Sequence, residues 1–316
     1  PSTTLGDILS ETFYDNYAWL SLYATGLSNT IDNTTSGTGN SNFLTAQNGN
    51  FPYPQEMTSS TSLNGIVTGS RTKILGSSNY LYSVIFYDDK GRVIQLQSTN
   101  LTGGVDIATT QYNWASQPLV SLQKQQISGS SNPQFHLLVS KYTYDDLGRV
   151  LNIKKVINST INSVVINKVE QTIVQNEYDK LGQLKKKIFG ANNLENLNYE
   201  YNIRGWMLGM NRSYLAATGQ SSTNKFGFDL SYDKQVGISG RNYFTSLFNG
   251  NIAGMTWKSD GDDVKRKYDF TFDPANRFLK GAFEQEDGMN TWNSISMDYS
   301  LQIGDGISTN SALSVP

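Results

Sequence analysis

Catalysis in this chain would have to be built without cysteine and around a single histidine. His136 is the sole imidazole available to a Ser-His-Asp relay, and no Gly-x-Ser-x-Gly elbow presents a serine to it. Composition leaves no thiolate nucleophile, no thiolate metal site and no multi-histidine metal site. Two acidic groups, Asp260-Gly-Asp-Asp263 and Glu284-Gln-Glu-Asp287, carry the chemistry of a glycosidase, which needs two carboxylates flanking a sugar bond. Gly261 and Gly288, within or just beyond them, favour hairpin turns, where carboxylates are common. Asp260-x-Asp262-x-Val264 lacks the fifth-position ligand and the distal glutamate of a calcium loop. The expectation is a chain with no catalytic set, no cofactor and no metal.

Binding chemistry is sparse as well. Trp114, Trp206, Trp257 and Trp292 could stack on sugars, although aromatics in this chain serve first as core. Lys185-Lys-Lys187 and Lys265-Arg-Lys267 would alternate between faces on strands, so they read as solvated surface and not as a polyanion patch. Lys186 shares a face with Leu184 and Ile188. A net charge of −2 over 316 residues argues against a nucleic-acid partner. No apolar run approaches the roughly 18 residues of a transmembrane helix. The sequons at Asn33, Asn100, Asn158 and Asn211 are expected by chance in a chain rich in Asn, Ser and Thr. The ends, Pro1-Ser-Thr-Thr without an initiator Met and Ala312-Leu-Ser-Val-Pro316, read as cuts through a longer polypeptide.

An internal repeat organises the chain. Tyr87-Asp88-Asp89-Lys90-Gly91-Arg92-Val93 recurs as Tyr144-Asp145-Asp146-Leu147-Gly148-Arg149-Val150 and as Tyr178-Asp179-Lys180-Leu181-Gly182-Gln183-Leu184. Looser copies are Tyr201-Asn202-Ile203-Arg204-Gly205-Trp206-Met207 and Phe272-Asp273-Pro274-Ala275-Asn276-Arg277-Phe278. Tyr232-Asp233 reads as a worn sixth copy, with Gly237 displaced by one residue.

The motif has a mechanism as a hairpin. The aromatic ends a strand, Asp or Asn opens an Asx-turn, and two free positions form the centre of a type I turn. Gly, or Asn276 in the last copy, then takes the left-handed conformation of the bulge that follows. Tyr142/Tyr144, Tyr199/Tyr201 and Phe270/Phe272 place aromatics on one face, and Ile94/Leu96 and Leu151/Ile153 continue the alternation. Val164-Val-Ile166 and Gln171-Thr-Ile-Val174 also read as strands, and Asn249-Gly250 as a two-residue hairpin turn. Insertions into hairpin loops are the simplest account of the irregular spacing between copies. Residues 1–80 hold no copy. Leu5 to Leu22 mixes helical and strand spacing, and Thr25 to Ser62 reads as a long loop or surface excursion.

These copies resemble the YD repeats of the RHS-repeat family, found in the B/C components of insecticidal Tc toxins and in teneurins. Gly250-Asn-Ile-Ala-Gly-Met-Thr-Trp-Lys258, Lys265-Arg-Lys-Tyr-Asp-Phe-Thr-Phe-Asp273 and Tyr201-Asn-Ile-Arg-Gly-Trp206 look like the RHS repeats of large Bacteroidetes surface or secreted proteins. The resemblance covers Leu81 to Phe283 within a repeat region taken as 81–316. It implies an all-β fold, a strip of antiparallel hairpins that curves or spirals into a shell around a C-terminal cargo, often a toxin. The implied partners are neighbouring repeats and that cargo, with export machinery or surface glycans beyond them, at a secreted or cell-surface location. Family members that cut themselves do so after the repeats, in an acidic core-end segment that has no match here. A glycan-binding adhesin module is the alternative reading.

Overall fold

Runs of alternating residues punctuated by Asx and glycine turns fold here into an almost all-β chain, and every strand pairing is antiparallel. The structure, a computed structural model, describes residues 8–23, 25–32, 41–47, 49–129, 131–218, 223–238, 240–286, 291–294, 299 and 300. Both terminal segments, the Asn33 sequon and Asp287-Gly288 therefore lie outside the described residues. The chain divides into two compact units at 175/176, within the repeat region.

In the first unit, β1 (Ser10–Tyr14), β2 (Val67–Lys73), β3 (Tyr80–Tyr87), β4 (Val93–Thr99), β5 (Val105–Tyr112), β6 (Pro118–Ile127), β7 (Gln134–Tyr144), β8 (Val150–Ile161) and β9 (Val164–Asn167) form a meander, each paired with the next. Asn162 and Ser163, both left-handed, close the β8–β9 hairpin. β10 (Gln171–Tyr178) then returns along β8, with Gln171 opposite Lys155.

In the second unit, β11 (Leu184–Phe189), β12 (Glu195–Tyr201), β13 (Met207–Met210), β14 (Phe226–Ser231), β15 (Gly254–Ser259), β16 (Lys265–Phe272) and β17 (Phe278–Glu286) form a second meander. β18 (Trp292–Ser294) and β19 (Tyr299–Ser300) both pair with β17. A one-turn helix, α1 (Arg212–Ala216), joins β13 to β14.

Several expectations are corrected. Of Leu5 to Leu22, ambiguous in sequence, the described part from residue 8 onward contains β1 and a 3-10 turn at Ala18–Leu22. The segment read as a long loop or surface excursion has no strand or helix among its described residues, but it covers a sheet face and is not a surface excursion. Ile31, with Trp19 and Leu20 just before it, forms a buried cluster with Val84 and Phe86, and Phe43 packs on Leu119, Val120 and Leu122. Gly69 makes this cover fit, because a Cβ there would lie 2.2 Å from the Trp19 ring. Tyr232-Asp233 forms no hairpin: 232–253 is an insertion between β14 and β15, closed by the Ala253 amide donating to the Ser231 carbonyl. Asn249-Gly250 lies inside that insertion and connects no pair of strands. Glu284 to Glu286 belong to β17 and not to a turn, whereas Asp260–Asp263 do lie in the β15–β16 turn. Lys265 and Lys267 are buried, not solvated.

Candidate functional site

All five motif copies build the same turn. The amide of the first residue (Asp88, Asp145, Asp179, Asn202 or Asp273) donates to the carbonyl of the fifth at 2.9 Å. The amide of the fourth returns to the first carbonyl at 2.9–3.1 Å. The side-chain Oδ1 of the first residue accepts the fifth residue's amide at 2.8–3.0 Å, so one carboxylate or amide satisfies the turn's inward N–H groups. Gly91, Gly148, Gly182 and Gly205 stand at φ 74–86°, and Asn276 takes the same position at 61°. The aromatic ends its strand at a register shift in four pairs: at Tyr87, Tyr144, Tyr201 and Phe272.

The long polar residue pairs with the turn acid. Arg92, Arg149 and Arg277 each send Nε back to Oδ2 of Asp88, Asp145 and Asp273, at 2.6, 2.7 and 2.5 Å. The Arg277 backbone amide, with its side chain, holds the Asp273 carboxyl below its ordinary range. At Asp145 slight burial opposes ionisation, but the bonds from Arg149 and Leu147 outweigh it and again lower the carboxyl. Where the first residue is Asn202 there is no charge to meet, and Trp206 replaces the arginine.

One further copy escaped sequence reading. Asn113 donates its amide to the Gln117 carbonyl at 2.9 Å and accepts the Gln117 amide on Oδ1 at 2.8 Å, with Ser116 at φ 66°. Tyr112 precedes it at the same register shift. Serine in the left-handed position and Pro118 in the apolar one disguise it. The aromatic and the Asn at its head were the available signal.

Two sets of bonds tie turn to turn. Arg92 Nη1 donates to the Asn113 carbonyl at 2.9 Å, Gln117 Nε2 to the Gly148 carbonyl at 2.7 Å, and Gln183 Nε2 to the Gly205 carbonyl at 3.4 Å. Four motif tyrosines form the second set, their hydroxyls donating to the carbonyl that opens the neighbouring strand. Tyr112 reaches Val93, Tyr144 Pro118 and Tyr201 Leu184, at 2.7–3.1 Å. Tyr87 does the same to Val67 at 2.9 Å. Tyr232 reaches Met207 at 3.0 Å, so the worn copy keeps its tyrosine latch after losing its turn. Burial pushes the Tyr144 phenol up to about 12, with Tyr142 adding to it.

The sheet faces carry the other polar groups. In the second unit Asp229, Thr256, Lys267 and Glu284 are cross-strand neighbours in one buried row. Lys267 pairs with Asp269 and lies 3.6 Å from Glu284, which Arg241 clasps with two bonds of 3.0 and 3.1 Å. Tyr243 seats its ring over Gly254, where a Cβ would come within 2.2 Å, and bonds Thr256 at 2.9 Å. Arg212 holds Asp229 at 2.7 Å. Lys258, under the Tyr214 ring, bonds the Ala217 carbonyl and Asp263. The opposite face carries Phe228, Trp257, Tyr268 and Phe283.

This arrangement bears on the glycosidase candidates. Burial works against ionisation of Glu284, but the Arg241 hydrogen bonds and the Lys267 and Arg241 charges hold it below its ordinary value. A general acid needs the reverse shift. Among the described residues no group of three His, Cys, Asp or Glu could hold a metal. His136 bonds Ser159 and Gln134 on the strands.

The four tryptophans separate. Trp257 stacks on Tyr268 in the aromatic face, Trp206 leans on Tyr232, and Trp292 lies 6.0 Å from Arg241. Trp114 alone of the four stands largely exposed, with Lys90 Nζ 3.6 Å from its ring centre. Compared with known proteins, the chain matches no family model and no curated protein.

Proposed function

We propose that this chain is a non-catalytic structural segment of a large exported RHS-repeat protein, and that it forms part of a β-shell around a C-terminal cargo such as a toxin. The observation that carries this reading is the bonded series of turns. Six copies share one geometry, and in three adjacent pairs the motif's own residues bond one copy to the next: the tyrosine hydroxyl and the Arg or Gln after the turn. Such hairpins gain stability by stacking, since an isolated hairpin is marginal in water. Its partners in this reading are neighbouring repeats and the enclosed cargo of the same polypeptide, secreted or held at a cell surface.

Electron microscopy of the parent protein tests the proposal. The expected image is a curled strip of hairpins enclosing the C-terminal region. A separately folded enzyme domain with no such strip would rule the reading out.

A further inference from the structure

The chain holds three Asn-Gly pairs, at 48–49, 64–65 and 249–250, and Asn48 lies outside the described residues. Such a pair can close on itself, the glycine amide nitrogen attacking the Asn side-chain carbonyl, because glycine adds no side chain to block the approach. The step is slow because an amide N–H gives up its proton reluctantly. A base held on that N–H would quicken it.

Asn64-Gly65 has such a base. The Ile66 amide donates to the Leu63 carbonyl at 3.0 Å and Gly65 stands at φ 74°, so the pair forms the centre of a type II turn just before β2. Asp15, the residue after β1, donates its own amide to the Ile66 carbonyl at 3.1 Å and accepts the Gly65 amide on Oδ1 at 2.6 Å. Among the described residues no cation pairs with Asp15, and the Asn64 side chain makes no hydrogen bond that would hold it away from Gly65. All three residues are exposed, and nothing lies within 4 Å of the place a Cβ would take on Gly65. Asn249-Gly250 is the contrast. Asn249 donates to Asn276 at 2.5 Å and accepts the Asn251 amide at 3.0 Å, and the Trp206 ring lies 3.2 Å from the Cβ place on Gly250. Among the described residues no carboxylate accepts the Gly250 amide.

We infer that Asn64 is a self-modification site, with Asp15 the catalytic base of its deamidation. Asp15 takes the Gly65 amide proton as that nitrogen bonds to Asn64 Cγ. It passes the proton to Nδ2, which leaves as ammonia when the Cγ–Nδ2 bond breaks, and a cyclic imide remains. Water opens the imide at either carbonyl, giving aspartate or its β-linked isomer, so water is the only co-reactant. A new carboxylate then stands beside that of Asp15, where β1 ends and β2 begins. The inference is independent of the shell reading, since it needs only Asp15 and the turn before β2.

The test is peptide-mapping mass spectrometry of the full chain during storage in neutral buffer. A synthetic peptide of residues 61–68, which carries the Asn-Gly pair without Asp15, is stored beside it. Asn64 in the folded chain should convert at least tenfold faster than in the peptide, and faster than Asn249 in the same digest. Asp15→Asn keeps an acceptor for the Gly65 amide but removes the base; it should slow Asn64 at least tenfold and leave Asn249 unchanged, with circular dichroism checking its fold. Conversion of Asn64 no faster in the chain than in the peptide would overturn the inference whatever the variant does. An undiminished rate in folded Asp15→Asn protein would overturn it as well.

Discussion

The two units cover their sheets by the same device and seal them with different chemistry. Each has a glycine in a strand beneath an aromatic ring of the covering segment: Gly69 under Trp19 in the first, Gly254 under Tyr243 in the second. In the first unit most of the polar groups beneath the cover are neutral amides, beside two ion pairs, buried Arg71 with Glu11 and Lys124 with Asp32. Gln97 accepts the Ser28 amide and donates to the Thr30 carbonyl, Gln95 accepts the Asp32 amide, and Gln111 both accepts from and donates to Leu44. These side chains act as an extra strand edge for the cover's backbone. In the second unit the row is charged, and it is met by side chains of opposite charge, Arg241 and Arg212. A sheet face of mixed polarity thus dictates its cover. Amides take an extended backbone of nearly any sequence, while buried ions require particular counter-ions.

The contrast breaks most readily at Lys267, which is fully buried. Lys267→Met leaves Asp269 and Glu284 buried beside each other with one cation fewer, and removing one partner of a buried pair costs about 3–5 kcal/mol. Urea unfolding should show that loss, with faster hydrogen exchange confined to the 232–253 insertion and the strands beneath it. A loss below about 1 kcal/mol would mean that the ions do not hold the cover.

Gln111→Leu is the matching change in the first unit. It removes bonds to the Leu44 amide and to the Leu44 and Gln55 carbonyls. Leaving such groups without partners costs about 1–3 kcal/mol, less than the ionic break because no charge is stranded. Exchange should rise around Leu44 while the 232–253 insertion stays protected. Equal losses for Lys267→Met and Gln111→Leu would dissolve the distinction between the two seals.

How far the sequence reveals this depends on distance along the chain. The turns were legible because Asp, two free residues and Gly at fixed offsets act within one hairpin, and five copies speak together. The Asn113 copy was not, because Ser116 supplies a left-handed residue without the glycine that marks one. The covers were not legible at all. Nothing local tells a Ser- and Asn-rich stretch that Gln97, 69 residues beyond Ser28, will bond it. Lys265 and Lys267 read as solvated because, apart from Asp269 on Lys267's own strand, the partners that allow their burial come from other elements: Glu286 on β17 for Lys265, Glu284 on β17 for Lys267, and the insertion's Tyr243 and Phe244 rings beside Lys267.

The tyrosine latches are common to both units and should respond to alkali. Tyr144 titrates near 12 when folded against 10.0 in an ordinary setting, because burial disfavours its phenolate. The folded state therefore keeps a proton that the unfolded chain releases first. Its contribution is complete below about pH 10 and is lost as pH rises toward about 12. Tyr144→Phe should cost about 1 kcal/mol at neutral pH, the value of one hydrogen bond, and should flatten the alkaline fall in urea midpoint. An unchanged alkaline slope would place the latch's titration elsewhere.

The smallest effect tests whether the turns really are equivalent across the two units. Ser116 occupies the position held by glycine in four of the motif turns, Gly91 and Gly148 in its own unit and Gly182 and Gly205 in the other. A left-handed conformation costs a non-glycine residue about 1–2 kcal/mol. Glycine would remove that cost but loses about 0.5–1 kcal/mol of extra chain entropy on folding. The exchange also gives up the 3.2 Å bond from Arg92 Nη1 to the Ser116 hydroxyl, partly offset because the same nitrogen keeps its bond to the Asn113 carbonyl. Ser116→Gly should therefore stabilise by only about 0.5 kcal/mol, a shift of one or two degrees in Tm for a chain of this size. A clear destabilisation would mean that the serine hydroxyl, by holding Arg92, matters more to this turn than backbone strain. The turn at Asn113 would then be a distinct variant and not a worn copy of the rest.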